Sequence, residues 1–167
     1  MLTTDQKGSI AETAIVAAAT KLGIGVIKPL TDGERYDLIF DLRPRLVRVQ
    51  CKWASKRGDV LVMRGYSARR TADGLRKRTY SPDEIDAFAA YSLEIDRCYF
   101  IPMDICAGRS TLQLRLSPTK NNQRQLINWA TDFEFEATLG RSGAVAQLGE
   151  RERGTLEAAG SSPAGSI

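Results

Sequence analysis

Two carboxylates stand out of place in this chain. Glu12 shares one line of a helical stretch with Ile15, Val16, Ala19 and Leu22, at offsets of 3, 4, 7 and 10, a stripe that should face the core. A carboxylate there either sits at the rim and reaches water, the usual case for a lone Glu, or meets a buried partner such as a metal ion. Asp37 lies on a strand otherwise suited to burial, where a lone Asp is often an edge or turn feature. Hairpin register gives it company. If the strands on either side of Arg43-Pro44 close symmetrically, paired positions sum to 87, so Asp37 lies opposite Gln50 and Arg35 opposite Lys52. Opposite residues share a face and the strand period is two, so Asp37, Gln50 and Lys52 cluster on one side of the hairpin. A connection with an odd number of residues would break this. The chain has no histidine. That excludes a Ser-His-Asp triad, a His-paired cysteine nucleophile and a His-ligated zinc or iron, so any metal here must be held by oxygen.

The elements that must position these residues follow from periodicity. Thr4 to Leu22 reads as a helix capped by Thr4 or Asp5 and stopped by Gly23 and Gly25. Val26-Ile27 is a short strand. Arg35 to Leu42 and Leu46 to Trp53 alternate as two paired strands, and Asp59 to Met63 is a third. Ser81-Pro82-Asp83-Glu84 carries an N-cap, a first-turn proline and a capping-box Glu, which predicts a helix whose buried stripe is Ile85, Phe88, Ala89 and Ser92 or Leu93. Cys98 to Met103 and Thr111 to Leu116 are strands, and Asn122 to Thr131 is a closing helix. The fold class expected is α/β, a central mixed sheet flanked by helices.

At 167 residues with 43% hydrophobic residues, the chain fits one soluble domain. Three cysteines at wide spacing suggest neither a disulfide framework nor a thiolate metal site, and Cys51 points away from Gln50 and Lys52 as a core residue. The apolar run at Ile15–Ala19 is far too short to span a bilayer and the first residues lack the order of a signal peptide, so the expectation is a cytoplasmic protein without membrane partners.

The net charge of +4 is unevenly spread. Between Arg43 and Arg78 lie twelve basic residues against Asp59 and Asp73 alone, so the remainder of the chain is acidic. A solvated, solubilising loop is the plain alternative, but arginine outnumbers lysine, which favours bidentate phosphate or guanine contacts. With Tyr66 and Tyr80 near its tip, the segment Arg64 to Tyr80 is expected to be an exposed loop or excursion that tracks a phosphate backbone. Lys56, Arg57, Arg64, Arg69, Arg70, Arg76, Lys77 and Arg78 are the DNA-contact candidates.

Glu12 on a helix, Asp37 on a strand and Gln50-Cys51-Lys52 on the next resemble the PD-(D/E)XK nuclease superfamily. The nearer match is its branch of group I intron-encoded homing endonucleases, in which Gln replaces the carboxylate before X-Lys. Gln6 to Glu12, Arg35 to Leu38, Val47 to Lys52, and Tyr80 to Asp86 leading to Tyr99-Phe100-Ile101-Pro102 carry the likeness. Two departures are plain: Tyr36 stands where the superfamily has proline before the strand carboxylate, and Gln50 removes one negative charge. The resemblance implies a restriction-endonuclease-like core that hydrolyses phosphodiesters in duplex DNA with Mg²⁺-activated water. Asp37, Gln50 and Glu12 would supply oxygens to Mg²⁺, and Lys52 a point charge for the attacking hydroxide or the phosphate. Cutting both strands requires two sites, hence a homo-oligomer, a dimer or, as the resemblance suggests, a tetramer. A junction-resolving nuclease and a non-catalytic DNA-binding module are the rival readings.

The nuclease domain is expected to span residues 1–136, with 137–167 a disordered tail rich in Gly, Ala and Ser. Gly143 to Arg151 and Gly160 to Ser166 look like the sense-strand translation of the D-arm and T-arm of a tRNA gene. Mobile introns carrying nucleases of this branch are found in tRNA genes, so the expected target is a tRNA gene.

Overall fold

The computed structural model describes residues 1–31, 33–106, 108–118 and 127–140. Helix α1 (Thr4–Lys21) is capped by Thr3, one residue ahead of the expected position. Thr3 Oγ1 accepts the Gln6 N–H at 3.2 Å while Gln6 Oε1 accepts the Thr3 N–H at 2.9 Å, the reciprocal pair of a capping box. Ala11, Ile15 and Ala19 form the buried stripe of the helix, so Glu12 lies beside it rather than within it.

The strands are β1 (Gly25–Ile27), β2 (Leu38–Asp41), β3 (Leu46–Arg57), β4 (Val60–Arg64), β5 (Tyr66–Thr71), β6 (Gly74–Thr79), β7 (Ala87–Ser92), β8 (Arg97–Pro102) and β9 (Thr111–Arg115). Short helices α2 (Met103–Cys106) and α3 (Phe135–Leu139) and a 3₁₀ turn at Ala130–Phe133 complete the described chain. Seven strands make one mixed sheet, in which β3 pairs antiparallel with β2 and β4 and parallel with β7; β5 and β6 form a separate ribbon. The register of β2 on β3 runs Leu38 with Val49 to Asp41 with Leu46, the symmetric closure expected around Arg43-Pro44. One sheet face packs α1 against Leu38, Phe40, Val47, Val49, Ala87 and Ala89. The other buries Phe88, Ala90, Tyr99, Ile101 and Tyr80 with Leu112 and Leu114.

Two expectations need correction. No helix follows Ser81. The first turn does form, since Glu84 and Ile85 donate to the Ser81 carbonyl at 3.0 and 3.2 Å and the Glu84 carboxylate accepts the Ser81 N–H at 3.2 Å. It ends because Asp86 donates to the Arg48 carbonyl at 2.9 Å, drawing the chain onto β3 as the parallel strand β7, buried at every residue. A strand covered on both faces reads as an unbroken apolar run, without the period that separates it from a helix. Second, the basic excursion is not a loop: Arg69 pairs with Arg76 and Ala68 with Lys77 in an antiparallel ribbon, and Tyr66 and Tyr80 mark its base rather than its tip. Near the end of the described chain, Thr138 and Leu139 are buried, Leu139 among the α1-side core. Of the expected closing helix, residues 127–131 hold only a bridge at Trp129 and the start of the 3₁₀ turn, and 122–126 lie outside the described residues, as do 141–167. Among the described residues, no helix is long and apolar enough to cross a membrane.

Asp86 anchors the crossing into β7. Its carboxylate accepts the Arg48 N–H at 2.7 Å and Nε–H at 3.1 Å through Oδ2, and Nη2–H at 2.9 Å through Oδ1. Burial pushes the Asp86 carboxyl up, but these bonds to Arg48 outweigh it and hold the group below its ordinary value. Its stabilisation is therefore present above the unfolded carboxylate range and is lost as pH falls through the lower folded value. Because the side chain is about one-third exposed, screening discounts the pair. Asp86→Ala is expected to lower stability by roughly 1–2 kcal/mol at pH 7 and by less at pH 3, read by denaturant unfolding at both.

Candidate active site

The site lies where β2 begins beside the middle of β3. Asp37 precedes β2 and still donates its N–H to the Val49 carbonyl at 2.9 Å. Its carboxylate turns across β3: Oδ2 accepts the Cys51 N–H at 2.8 Å and a short hydrogen bond from Gln50 Nε2. Burial raises the Asp37 carboxyl above its ordinary value, against the pull of the Cys51 N–H and the Lys52 charge. A cation placed there would relieve that burial.

Lys52 stands on the same side as Gln50 and donates from Nζ to Tyr80 Oη at 3.2 Å and to the Tyr66 carbonyl at 3.4 Å. Its ammonium lies 4.7 Å from the centre of the Tyr80 ring. Burial, assisted by the neighbouring Arg35 charge, lowers its pKa to about 8 although Asp37 pulls the other way. An ammonium held so is a compact positive charge in a low-dielectric wall, suited to stabilising a developing anion.

Glu12 comes from α1, over the opposite face of the sheet. Its side chain is 27% exposed and forms a short ion pair with Lys28. The rim reading of the sequence therefore holds for its position, yet its charge is still felt at Asp37. Asp37, Gln50 and Lys52 are thus brought together, while Glu12 pairs with Lys28 and reaches Asp37 through its charge alone. Cys51 packs into the α1-side core, where burial pushes its thiol far up, so it remains protonated and inert. Among the described residues, no group of three or more acidic, cysteine or histidine side chains gathers as a metal cluster. The available donors are two carboxylates and one amide, all oxygen, which fit a hard cation such as Mg²⁺. Gln50 here turns Nε2 toward Asp37; to share a cation with it the amide must present Oε1, an exchange of nitrogen and oxygen that leaves its shape unchanged.

The eight basic candidates are all exposed. Arg69, Arg70, Arg76, Lys77 and Arg78 cover both faces of the β5–β6 ribbon, and Arg64 stands at the end of β4 just before it. Lys56 and Arg57 do not join them. They lie at the far end of β3, four and five positions beyond Lys52, on the order of 13–17 Å away along a strand. Gly65 lets the ribbon leave β4: a Cβ there would stand 2.7 Å from the Arg109 carbonyl oxygen.

Sequence reasoning gave no role to Arg35, Tyr80 and Lys28 in the site. Arg35 was placed opposite Lys52 by register, and Tyr80 fell inside the basic stretch, so the available signal was their nearness to the lysine rather than their type. In the structure the Arg35 guanidinium carbon lies 4.1 Å from the Tyr80 ring centre.

Comparisons with known proteins bear on the family and the fold. A family model for PD-(D/E)XK endonucleases matches residues 2–136. The chain is similar to the solved structure of a bacterial homing endonuclease, I-Ssp6803I, at 27% identity with a TM-score of 0.68, covering 91% of this chain and 99% of that one. No curated protein matches it in sequence. The family match runs from helix α1 through the mixed sheet to the start of α3, and the chain belongs to the PD-(D/E)XK endonuclease family.

Proposed function

We propose that the protein is a cytoplasmic, Mg²⁺-dependent, site-specific endonuclease of homing type that hydrolyses phosphodiester bonds in duplex DNA. The observation that carries this is the tie between site and ribbon: Lys52, one residue from a carboxylate-bound backbone N–H, donates to the backbone of the arginine-rich ribbon itself. Asp37 and Gln50, with Glu12, would hold the metal ion, which when bound supplies Lewis-acid activation of water and phosphate. Lys52 holds its charge beside the phosphate, Tyr80 keeps the ammonium in place, and the Asp37 bond to the Cys51 N–H fixes the carboxylate. A two-stranded ribbon fits the major groove, with Arg69 and Arg76 on one face and Arg70 and Lys77 on the other. A chain with one such site needs a second copy to cut both strands, so the acting species is a homo-oligomer, a dimer or a tetramer. The tRNA-like tail points to a tRNA gene as the target.

The ribbon assignment is tested by titrating labelled duplex at several salt concentrations. Arg69→Ala and Arg76→Ala are each expected to weaken binding several-fold and to reduce the slope of log K against log salt by about 1, while Arg57→Ala leaves both unchanged. Unchanged affinity and salt slope in Arg69→Ala and Arg76→Ala would remove the ribbon from the DNA interface.

A further inference from the structure

Arg35 makes more connections than any surface role requires. Its Nη1 donates to Ser67 Oγ at 2.9 Å and its Nη2 to the Thr79 carbonyl at 3.0 Å, so one guanidinium joins β5 to β6 at the ribbon base. Its Nε lies 3.2 Å from Glu84 Oε1, and the same carboxylate takes a short ion pair from Arg78 on β6. The plane rests on Tyr80, which is 7% exposed and braced edge-on by Phe88 at 5.4 Å. Tyr80 in turn holds the Lys52 ammonium through its hydroxyl, and the Tyr66 carbonyl on β5 holds it from the ribbon side. Lys52 and Arg35 therefore share Tyr80, and each also holds the ribbon: Lys52 through the Tyr66 carbonyl on β5, Arg35 through Ser67 on β5 and Thr79 on β6.

We propose that Arg35 is a positioning residue that locks the base of the β5–β6 ribbon onto Tyr80, so that seating the ribbon on DNA and placing the Lys52 ammonium are one event. This rests on the nuclease reading above only in assigning Lys52 its catalytic role. Arg35 itself need not touch the substrate. Its contribution is geometric: a guanidinium presents a planar fork that serves a hydroxyl, a carbonyl and a ring at once, which neither Lys nor Gln reproduces. Misplacing a charged group by about 1 Å at the reacting centre is enough to cost on the order of a hundredfold in rate.

The test uses full-length protein labelled with ¹³C at the lysine ε-carbons. With its ammonium over the Tyr80 ring, Lys52 should give an ε-methylene signal shifted by the ring, assigned by its disappearance in Lys52→Met. In Arg35→Gln that signal is expected to collapse toward the exposed lysines, the cleavage rate at saturating DNA to fall about tenfold or more, and DNA affinity to change less than threefold. Ser67→Ala, which removes a single bond to the guanidinium, should move the same readouts in the same direction by less and serves if Arg35→Gln does not fold. A retained ring-shifted signal, or a loss confined to DNA affinity with the saturating rate unchanged, would overturn the proposal. If the wild type cuts no DNA, the nuclease reading fails while the NMR comparison still decides the role of Arg35.

Discussion

Asp37→Asn and Lys52→Met are each expected to leave DNA binding within about threefold of wild type and to lower single-turnover cleavage by about 10³-fold or more. For Asp37 the reason is charge. It is a half-buried carboxylate already raised by burial, and Asn keeps its shape while removing the anion that would hold a metal ion. For Lys52 the reason is the loss of a preorganised positive charge, typically about 10²–10³-fold for one such group, here in a wall where water screens it poorly. Lys52→Arg should not rescue the rate, because the space between Tyr80 Oη and the Tyr66 carbonyl is set for an ammonium rather than a planar fork. With limiting DNA, the wild-type rate should also fall as pH rises above about 8, where Lys52 loses its charge. Quench-flow or gel assays at saturating enzyme, with binding measured separately in Ca²⁺, separate these effects.

Removing the lysine should also make the protein more stable. The Lys52 pKa falls from 10.5 to about 8 on folding, so holding the proton costs the folded state free energy wherever the residue is charged in both states. The sign follows directly. Below about pH 8 the full cost is present; between about 8 and 10.5 the folded lysine releases a proton that the unfolded chain keeps, and the cost fades. Lys52→Met, which keeps the length and apolar stem, is expected to gain on the order of 2 kcal/mol at pH 7 after a discount for residual solvent contact, or about 5 °C in melting temperature. The gain should shrink steadily toward pH 10.5, the pattern of a functional group held at a cost to stability. A variant equal to or less stable than wild type at pH 7 would mean that Lys52 is well solvated in the folded state.

The juxtaposition of Asp37, Gln50 and Lys52 was more legible than several of the elements around it, and the reasons are local. The sum rule for the β2–β3 register depended only on strand period and the Arg43-Pro44 connection, so the juxtaposition of Asp37 with Gln50 and Lys52 followed from sequence. Glu12 was readable as an anomaly on a helical stripe, but its pairing with Lys28 was not, because that contact joins a helix to the stretch after β1. The segment after Ser81 was misread because its first turn does carry helix-start chemistry, and only a long-range contact, Asp86 with Arg48, turns it into a strand. The ribbon was opaque for a related reason: its residues are mostly exposed on both faces, so no apolar alternation announces the pairing that Gly74 and its neighbours form. Lys56 and Arg57 were grouped with the ribbon on charge alone; the length of β3 separates them.

The most direct test of the central assignment is cleavage of supercoiled and linear DNA carrying the intron-free tRNA gene, with Mg²⁺ or Ca²⁺, by wild type, Asp37→Ala and Lys52→Ala. The expected result is discrete Mg²⁺-dependent cutting by the wild type, absent in both variants, with all three proteins still binding the duplex. Binding without cutting under any divalent ion, with four-way junction DNA also left intact, would contradict the account and identify the chain as a DNA-binding module on a nuclease fold.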